Sequence, residues 1–409
     1  MPETAIAELH ARFDALGIER LRVNGGAKWT QFPDCIGAFV AEMDFGTAPA
    51  VSAALGKAVA RGRLGYATAQ LFGELAAAAA QSLSRRHGWQ VPEQAIRPVP
   101  DVIKALEVML RFHLPPGVPV IVPTPCYMPF VPLIEQLGHV AMQIPLRRDG
   151  ERPALDFDRI DAAFASGARA LLLCNPHNPV GRAYEREELL QLAGIVERHG
   201  ARVFADEIHA PLVYAGHRHL PYAALSPASA AHAITTVSAS KAWNLAGMKC
   251  AQIVFSNPDD LRTWQRRGHL LTSNSTSTLG AIAHIAAYRD GGDWLQAVLA
   301  YLQGNRDLLA DFLRERLPQI GHFRPEGTYL AWLDCSALAL PLPLGRWFRD
   351  NAGVAMTDGR ECGEGFDQCV RLNFAMPRPL LRQALEQIAE AIDDAPGNHR
   401  PPTPDLPSR

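Results

Sequence analysis

Between residues 118 and 255 the chain carries five nearly unbroken apolar runs: VPVIV (118–122), ARALLLC (168–174), ARVFAD (201–206), HAITTVSAS (232–240) and GMKCAQIVF (247–255). A strand with one wetted face alternates apolar and polar residues; a strand covered on both faces need not. Amphipathic stretches such as EREELLQLAGIVERHG (185–200) separate the runs. Doubly covered strands alternating with helices predict an α/β fold built on a mainly parallel sheet.

From about residue 290 the pattern changes. A long helical stretch, LQGNRDLLADFLRERL, is followed by alternating strands, TYLAWLD and CVRLNFA. This predicts a smaller α+β domain over 291–395, joined by an N-terminal segment (1–49), beside a large domain over 50–290. A chain of 409 residues exceeds the usual size of one hydrophobic core, so two domains are expected. The polar, Pro-rich stretch 396–409 is expected to be disordered.

Composition excludes several partners. Forty basic against 42 acidic side chains give a formal charge of −2, with no basic footprint for nucleic acid. No run of eighteen apolar residues exists, so no membrane span is expected. MPETAIAELHARFDALGIERLRV has mixed charge and no apolar signal core, and the seven scattered cysteines read as reduced thiols. A cytoplasmic protein is expected. Cys362 and Cys369 fit no metal-binding spacing, so no metal is assigned.

In open parallel sheets the ligand site lies beyond the carboxyl ends of the strands. Polar residues gather at those ends here: Tyr127, Asn178, Asp206, Ser238, Ser240 and Lys241. An arbitrary lysine is a solvated surface charge, but Lys241 directly follows a buried-looking strand and small hydroxyl residues. A partly desolvated lysine can lose its proton and form a Schiff base. Asp206 closes another strand, where a carboxylate is costly without a cation. Its plain reading is a helix cap; its sharper one is a partner for a protonated pyridine nitrogen. Lysine and acid together are what pyridoxal phosphate (PLP) requires. Ser238, Ser240, Lys249 and the first free N–H groups of a helix starting near residue 101, on Val102 and Ile103, would supply donors for its phosphate.

NPHNPVGR (175–182), ADEIHAPLV (205–213), SASKAWNLAGMKCA (238–251) and VRLNFAMPR (370–378) resemble, in order, the signature of the fold-type I PLP-dependent enzymes. AEMDFGTAPAV (41–51), the LGY at 64–66 and the Ile-His after Asp-Glu are similar to the MalY/PatB-like cystathionine β-lyase branch of the class I/II aminotransferase superfamily. The resemblance runs from about residue 20 to residue 390. It implies an aspartate-aminotransferase-like fold with a seven-stranded sheet, and a homodimer sharing its active sites. It implies that Lys241 bonds the cofactor aldehyde, Asp206 the ring nitrogen and Asn178 the ring hydroxyl, with Tyr127 stacked on the ring. Ser238, Ser240, Lys249 and the Val102 and Ile103 amides would hold the phosphate, Tyr66 would reach the partner subunit's phosphate, and Arg371 would clamp the substrate carboxylate. His209 stands where typical aminotransferases have tyrosine, as in the lyase branch, and is divided between ring contact and packing. Pro100-Asp101 departs from the small residue many relatives carry; Asp101 is expected to cap the helix with its carboxylate turned aside.

The implied reaction is β-elimination from an L-cysteine thioether, giving a thiol, pyruvate and ammonia. A transaminase uses the same residues and is the alternative; a PLP-fold regulatory or interaction protein is the alternative of another class. His177 reads as a loop residue near the site, Cys126 as a small packer, and Trp243 as packing near the lysine and able to line the substrate pocket.

Overall fold

The computed structural model describes residues 2–149, 152–268, 272 and 275–396. The tail expected to be disordered lies, from 397 on, outside the described residues. Seven strands form the main sheet: β1 (Ile96–Val99), β2 (Pro119–Thr124), β3 (Val140–Pro145), β4 (Ala170–Cys174), β5 (Arg202–Asp206), β6 (Ala233–Val237) and β7 (Ala251–Phe255), in the order β1-β7-β6-β5-β4-β2-β3. Pairing is parallel from β6 across to β3, whereas β7 is antiparallel to both its neighbours.

The unbroken runs divide between two cores. On β4, Leu171 and Leu173 enter one hydrophobic cluster, while Ala170, Leu172 and Cys174 enter the other. Strand β5 sends Val203 and Ala205 one way and Phe204 the other. Each fully buried leucine contributes about 1.5–3 kcal/mol, so a polar residue at any of these positions forfeits one core or the other.

Chain direction then places the site. Strands β2, β4, β5 and β6 end on one edge, delivering Tyr127, Asn178, Asp206 and Ser238–Lys241 there. Since β1 opposes β7, and β7 opposes β6, β1 ends on that same edge. It leads into the helix Val102–Phe112, capped by Asp101, whose Oδ1 accepts the Lys104 N–H at 2.8 Å. Because β7 starts on this edge, Lys249 lies there too.

The second sheet is antiparallel: β8 (Gly321–His322), β9 (Leu330–Asp334), β10 (Thr357–Asp358) and β11 (Cys369–Asn373), in the order β8-β9-β11-β10. Arg371 on β11 faces Trp332 on one side and Thr357 on the other. The N-terminal segment packs on this part of the molecule. Ile36–Gly37 pairs in parallel with Val354–Ala355, and Phe13, Phe45 and Tyr301 form a ring cluster with centroids 4.5–5.3 Å apart.

Residues 38–46 form a strap that crosses toward the large sheet. Buried Lys28 pairs with Asp44 at 2.9 Å, and Trp29 Nε1 donates to the other Asp44 oxygen at 2.7 Å. Asn373 donates to the carbonyls of Val40 and Glu42, and Asn244 bonds both backbone groups of Met43. Buried amide and carboxylate groups thus hold a segment that has no sheet ladder of its own.

Candidate active site

Two cavities meet at Lys241. The inner one, of about 200 Å³, is lined by Asn178, Asp206, His209, Ser240 and the start of the helix at Val102–Ile103. The outer one, of about 420 Å³, is lined by Phe39, Met128 and Arg371, among others. Ala41, Tyr127 and Lys241 belong to both.

The Lys241 amine donates to the Ala41 carbonyl at 2.9 Å and, among the described residues, has no carboxylate partner. Burial, helped by the Arg371 guanidinium, pushes its ammonium down to about 8. About a tenth of the amine is therefore free base at pH 7, far more than for an ordinary lysine, as a nucleophile or proton acceptor requires. Asp206 is buried, and among the described residues its Oδ1 accepts only the Ile208 N–H, at 3.1 Å. Burial pushes its carboxyl up to about 7, against that hydrogen bond and the Lys241 charge. A cation arriving beside it would keep it ionised.

Arg371 is only 1 % exposed. Nη2 donates to Phe39 O (2.6 Å) and Thr357 Oγ1 (3.1 Å), and Nη1 to Asn178 Oδ1 (3.3 Å). Nε has no partner, and among the described residues no carboxylate pairs with this guanidinium. A buried, uncompensated cation beside an open cavity is an anion receptor in waiting. His209 packs edge-on against Tyr329 (5.9 Å), burial pushes it down to about 3, and its Nδ1 is unpartnered. It lines the inner cavity as a neutral ring. Burial raises the Tyr127 phenol, so it too is neutral.

The expected phosphate cradle differs in two respects. Ser238 is buried, and its hydroxyl is used inside the protein: it contacts Cys250 O (2.9 Å) and His284 Nε2 (3.0 Å), and accepts the Ser240 N–H (3.0 Å). It shapes the turn that carries Ser240. Asp101 caps the helix as expected, but its carboxylate is not turned aside. It lines the cavity, and Oδ2 meets the Lys249 ammonium at 3.1 Å, because one short side chain can reach both the helix end and the lysine. Lys249 has a left-handed backbone (φ 48°, ψ 62°), a conformation costly for any side chain but glycine or asparagine and one that clusters at functional sites.

Tyr66 is 92 % exposed and lines neither cavity. Trp243 is fully buried, with Nε1 donating to Gly291 O; it packs near the lysine but does not line the substrate cavity. His177 bridges Tyr184 OH and Pro125 O, at 2.8 Å each, behind the cavity wall. Sequence reasoning missed the strap carbonyls of Phe39 and Ala41, Thr357, and Tyr329, whose hydroxyl shares the Ala41 oxygen with Lys241.

The model of the family "Aminotransferase class I and II" matches residues 34–388. The chain belongs to that family. It is 37% identical to a cystathionine beta-lyase of Corynebacterium glutamicum, over 92% of this chain and 99% of the relative. It is 32% identical to cystathionine beta-lyase PatB of Bacillus subtilis, over 93% and 98%. The structure of the PLP-bound C-S lyase from Staphylococcus hominis superposes with a TM-score of 0.87 at 28% identity, covering 93% of this chain and 99% of that one.

As a class I and II aminotransferase-family site, the inner cavity fits PLP on its own chemistry. It offers an amine pushed down to about 8, a buried carboxylate lacking a cation, and a helix N-terminus. Capture of an aldehyde needs the unprotonated amine, so the rate at which the cofactor-free protein takes up PLP should rise with pH through about 8 and then level off. Stopped-flow absorbance across that range checks this; a rate that climbs on toward pH 10 shows an unperturbed lysine.

Proposed function

We propose that this protein is a PLP-dependent C–S β-lyase, cleaving the Cβ–S bond of an L-cysteine thioether to a thiol, pyruvate and ammonia. The observation that carries this reading is the meeting of the two cavities at Lys241. An amine shares one space with a carboxylate starved of a cation on one side and a guanidinium starved of an anion on the other.

When bound, PLP supplies an electron sink conjugated to the substrate's Cα. The protein's own residues do the rest. Asp206 would hold a protonated ring nitrogen, and Asn178 and Tyr127 would orient the ring. Ser240, Lys249 and the first amides of the helix Val102–Phe112 would hold the phosphate, Lys249 giving up Asp101 for it. Arg371 takes the α-carboxylate by its planar fork, fixing the Cα–H direction. The Lys241 free base would accept that proton. Buried, neutral His209 and Tyr329 keep water from the back of the site.

A homodimer completes this reading. Tyr66, exposed beside Leu64 and lining neither cavity at Lys241, would reach the partner subunit's phosphate. Among the described residues no helix is long and apolar enough to cross a membrane. All seven cysteines are unpaired and buried, which supports a cytoplasmic setting.

Incubation of the PLP-loaded protein with cystathionine or an S-alkylcysteine should release pyruvate with no 2-oxoacid added. Glutamate formed from 2-oxoglutarate, with no pyruvate in its absence, makes the protein a transaminase instead.

A further inference from the structure

The outer cavity continues past Arg371 to a second, differently built arginine. Phe39, whose carbonyl accepts from Arg371, sets its ring against Phe32 (5.3 Å, edge-on), and the Arg349 guanidinium lies 4.6 Å over the Phe32 ring. All four residues line the same cavity, as does Lys241. Between the two cations the wall is aromatic and thioether, formed by Phe32, Phe39, Met128 and Met356.

The rim holds two further arginines, and both are engaged. Arg346 Nε donates to Asp350 at 3.1 Å, and Arg360 Nε to Asp358 at 2.9 Å. Arg349 differs. Its closest carboxylate is Asp350 at 3.7 Å, beyond hydrogen-bond length and already shared with Arg346. Its side chain is 30 % exposed. Stacking on Phe32 fixes the plane of the fork, and among the described residues its donors make no hydrogen bond. That is the preorganisation a planar anion needs. Glu361, also on the rim, leaves room for an ammonium beside that anion.

We propose that Arg349 is a specificity-determining residue that binds a carboxylate on the departing thiol. Resting on the lyase reading, this narrows the substrate class to L-cysteine thioethers with acidic leaving groups. The polarisable middle of the cavity takes the sulfur and its methylenes, and the arginines grip the two ends.

The test compares S-(2-carboxyethyl)-L-cysteine with S-propyl-L-cysteine, matched in length, on the PLP-loaded enzyme by pyruvate release. The wild-type protein should favour the acidic substrate by roughly tenfold or more in kcat/KM, mostly through KM, as one charge-assisted fork contact allows. Arg349→Met should erase that preference while the S-propyl compound loses less than about threefold, and Arg349→Lys should restore part of it. Equal losses on both compounds, or no wild-type preference, overturn the proposal. Should neither compound yield pyruvate, the lyase reading falls. The inference about Arg349 is then decided by the Kd of each compound, read from the cofactor absorbance: equal values overturn it, and tighter acidic binding that Arg349→Met abolishes sustains it.

Discussion

Lys241→Ala should remove the visible absorbance band of the bound cofactor and lower pyruvate release by roughly 10⁴-fold or more. In the proposed reaction one side chain would do two jobs: its amine would hold the cofactor through the aldehyde carbon and, once displaced there by the substrate's own amine, would take the proton from Cα. Neither neighbouring ring can stand in. His209 is pushed down to about 3 by burial and so is a very weak base, and the Tyr127 phenol is held neutral. Folding should survive, because the amine's hydrogen bond is a single one, to the Ala41 carbonyl. Far-ultraviolet circular dichroism and a thermal melt establish that, and the absorbance spectrum decides the rest. A variant that keeps both the band and turnover dismisses Lys241 from the chemistry.

Arg371→Ala should leave the cofactor band intact and lower kcat/KM by about 10²–10³-fold, equivalent to about 3–4 kcal/mol, the range of a charge-assisted, two-pronged contact in a buried site. Removing the guanidinium also frees Asn178 Oδ1 and Thr357 Oγ1, so the loss includes their misplacement. Arg371→Lys should rescue little, since an ammonium cannot reproduce a fork that already spends Nη2 on the Phe39 carbonyl. Steady-state kinetics with a saturating cofactor supply checks both variants. A loss of PLP affinity without a rise in KM moves Arg371 from the substrate to the cofactor.

The large sheet was legible because its strands are buried on both faces, and the runs at 168–174 and 201–206 can satisfy two cores only as central strands. The strand-end residues followed from that geometry: Asp206 ends β5, and Lys241 lies just past β6. The second sheet was readable only in outline. Strand β10 has two residues, Thr357–Asp358, too few for a period, yet it supplies a ligand to Arg371. The strap was hidden for a different reason. Its contributions are carbonyl oxygens, which every residue has, so no side-chain pattern could announce that Phe39 and Ala41 face the site. The fate of Ser238 was hidden as well, because its partners, Cys250 O and His284, are brought to it by the fold rather than by spacing. The resemblance of four ordered motifs placed Arg371, which no local pattern would have linked to Lys241 across 130 residues.

The Phe39 carbonyl holds the guanidinium and the Ala41 carbonyl holds the amine, two residues apart on one span of backbone. Substrate grip and basicity therefore share a hinge pin. A shift of that span by a fraction of an ångström detunes both at once, so changes at Lys28, Asp44 or Asn373, none of which lines either cavity, will move kcat and KM in concert rather than singly. Evolution of a new specificity here is cheapest at the far rim, where a side chain can change without disturbing the machinery that breaks the bond.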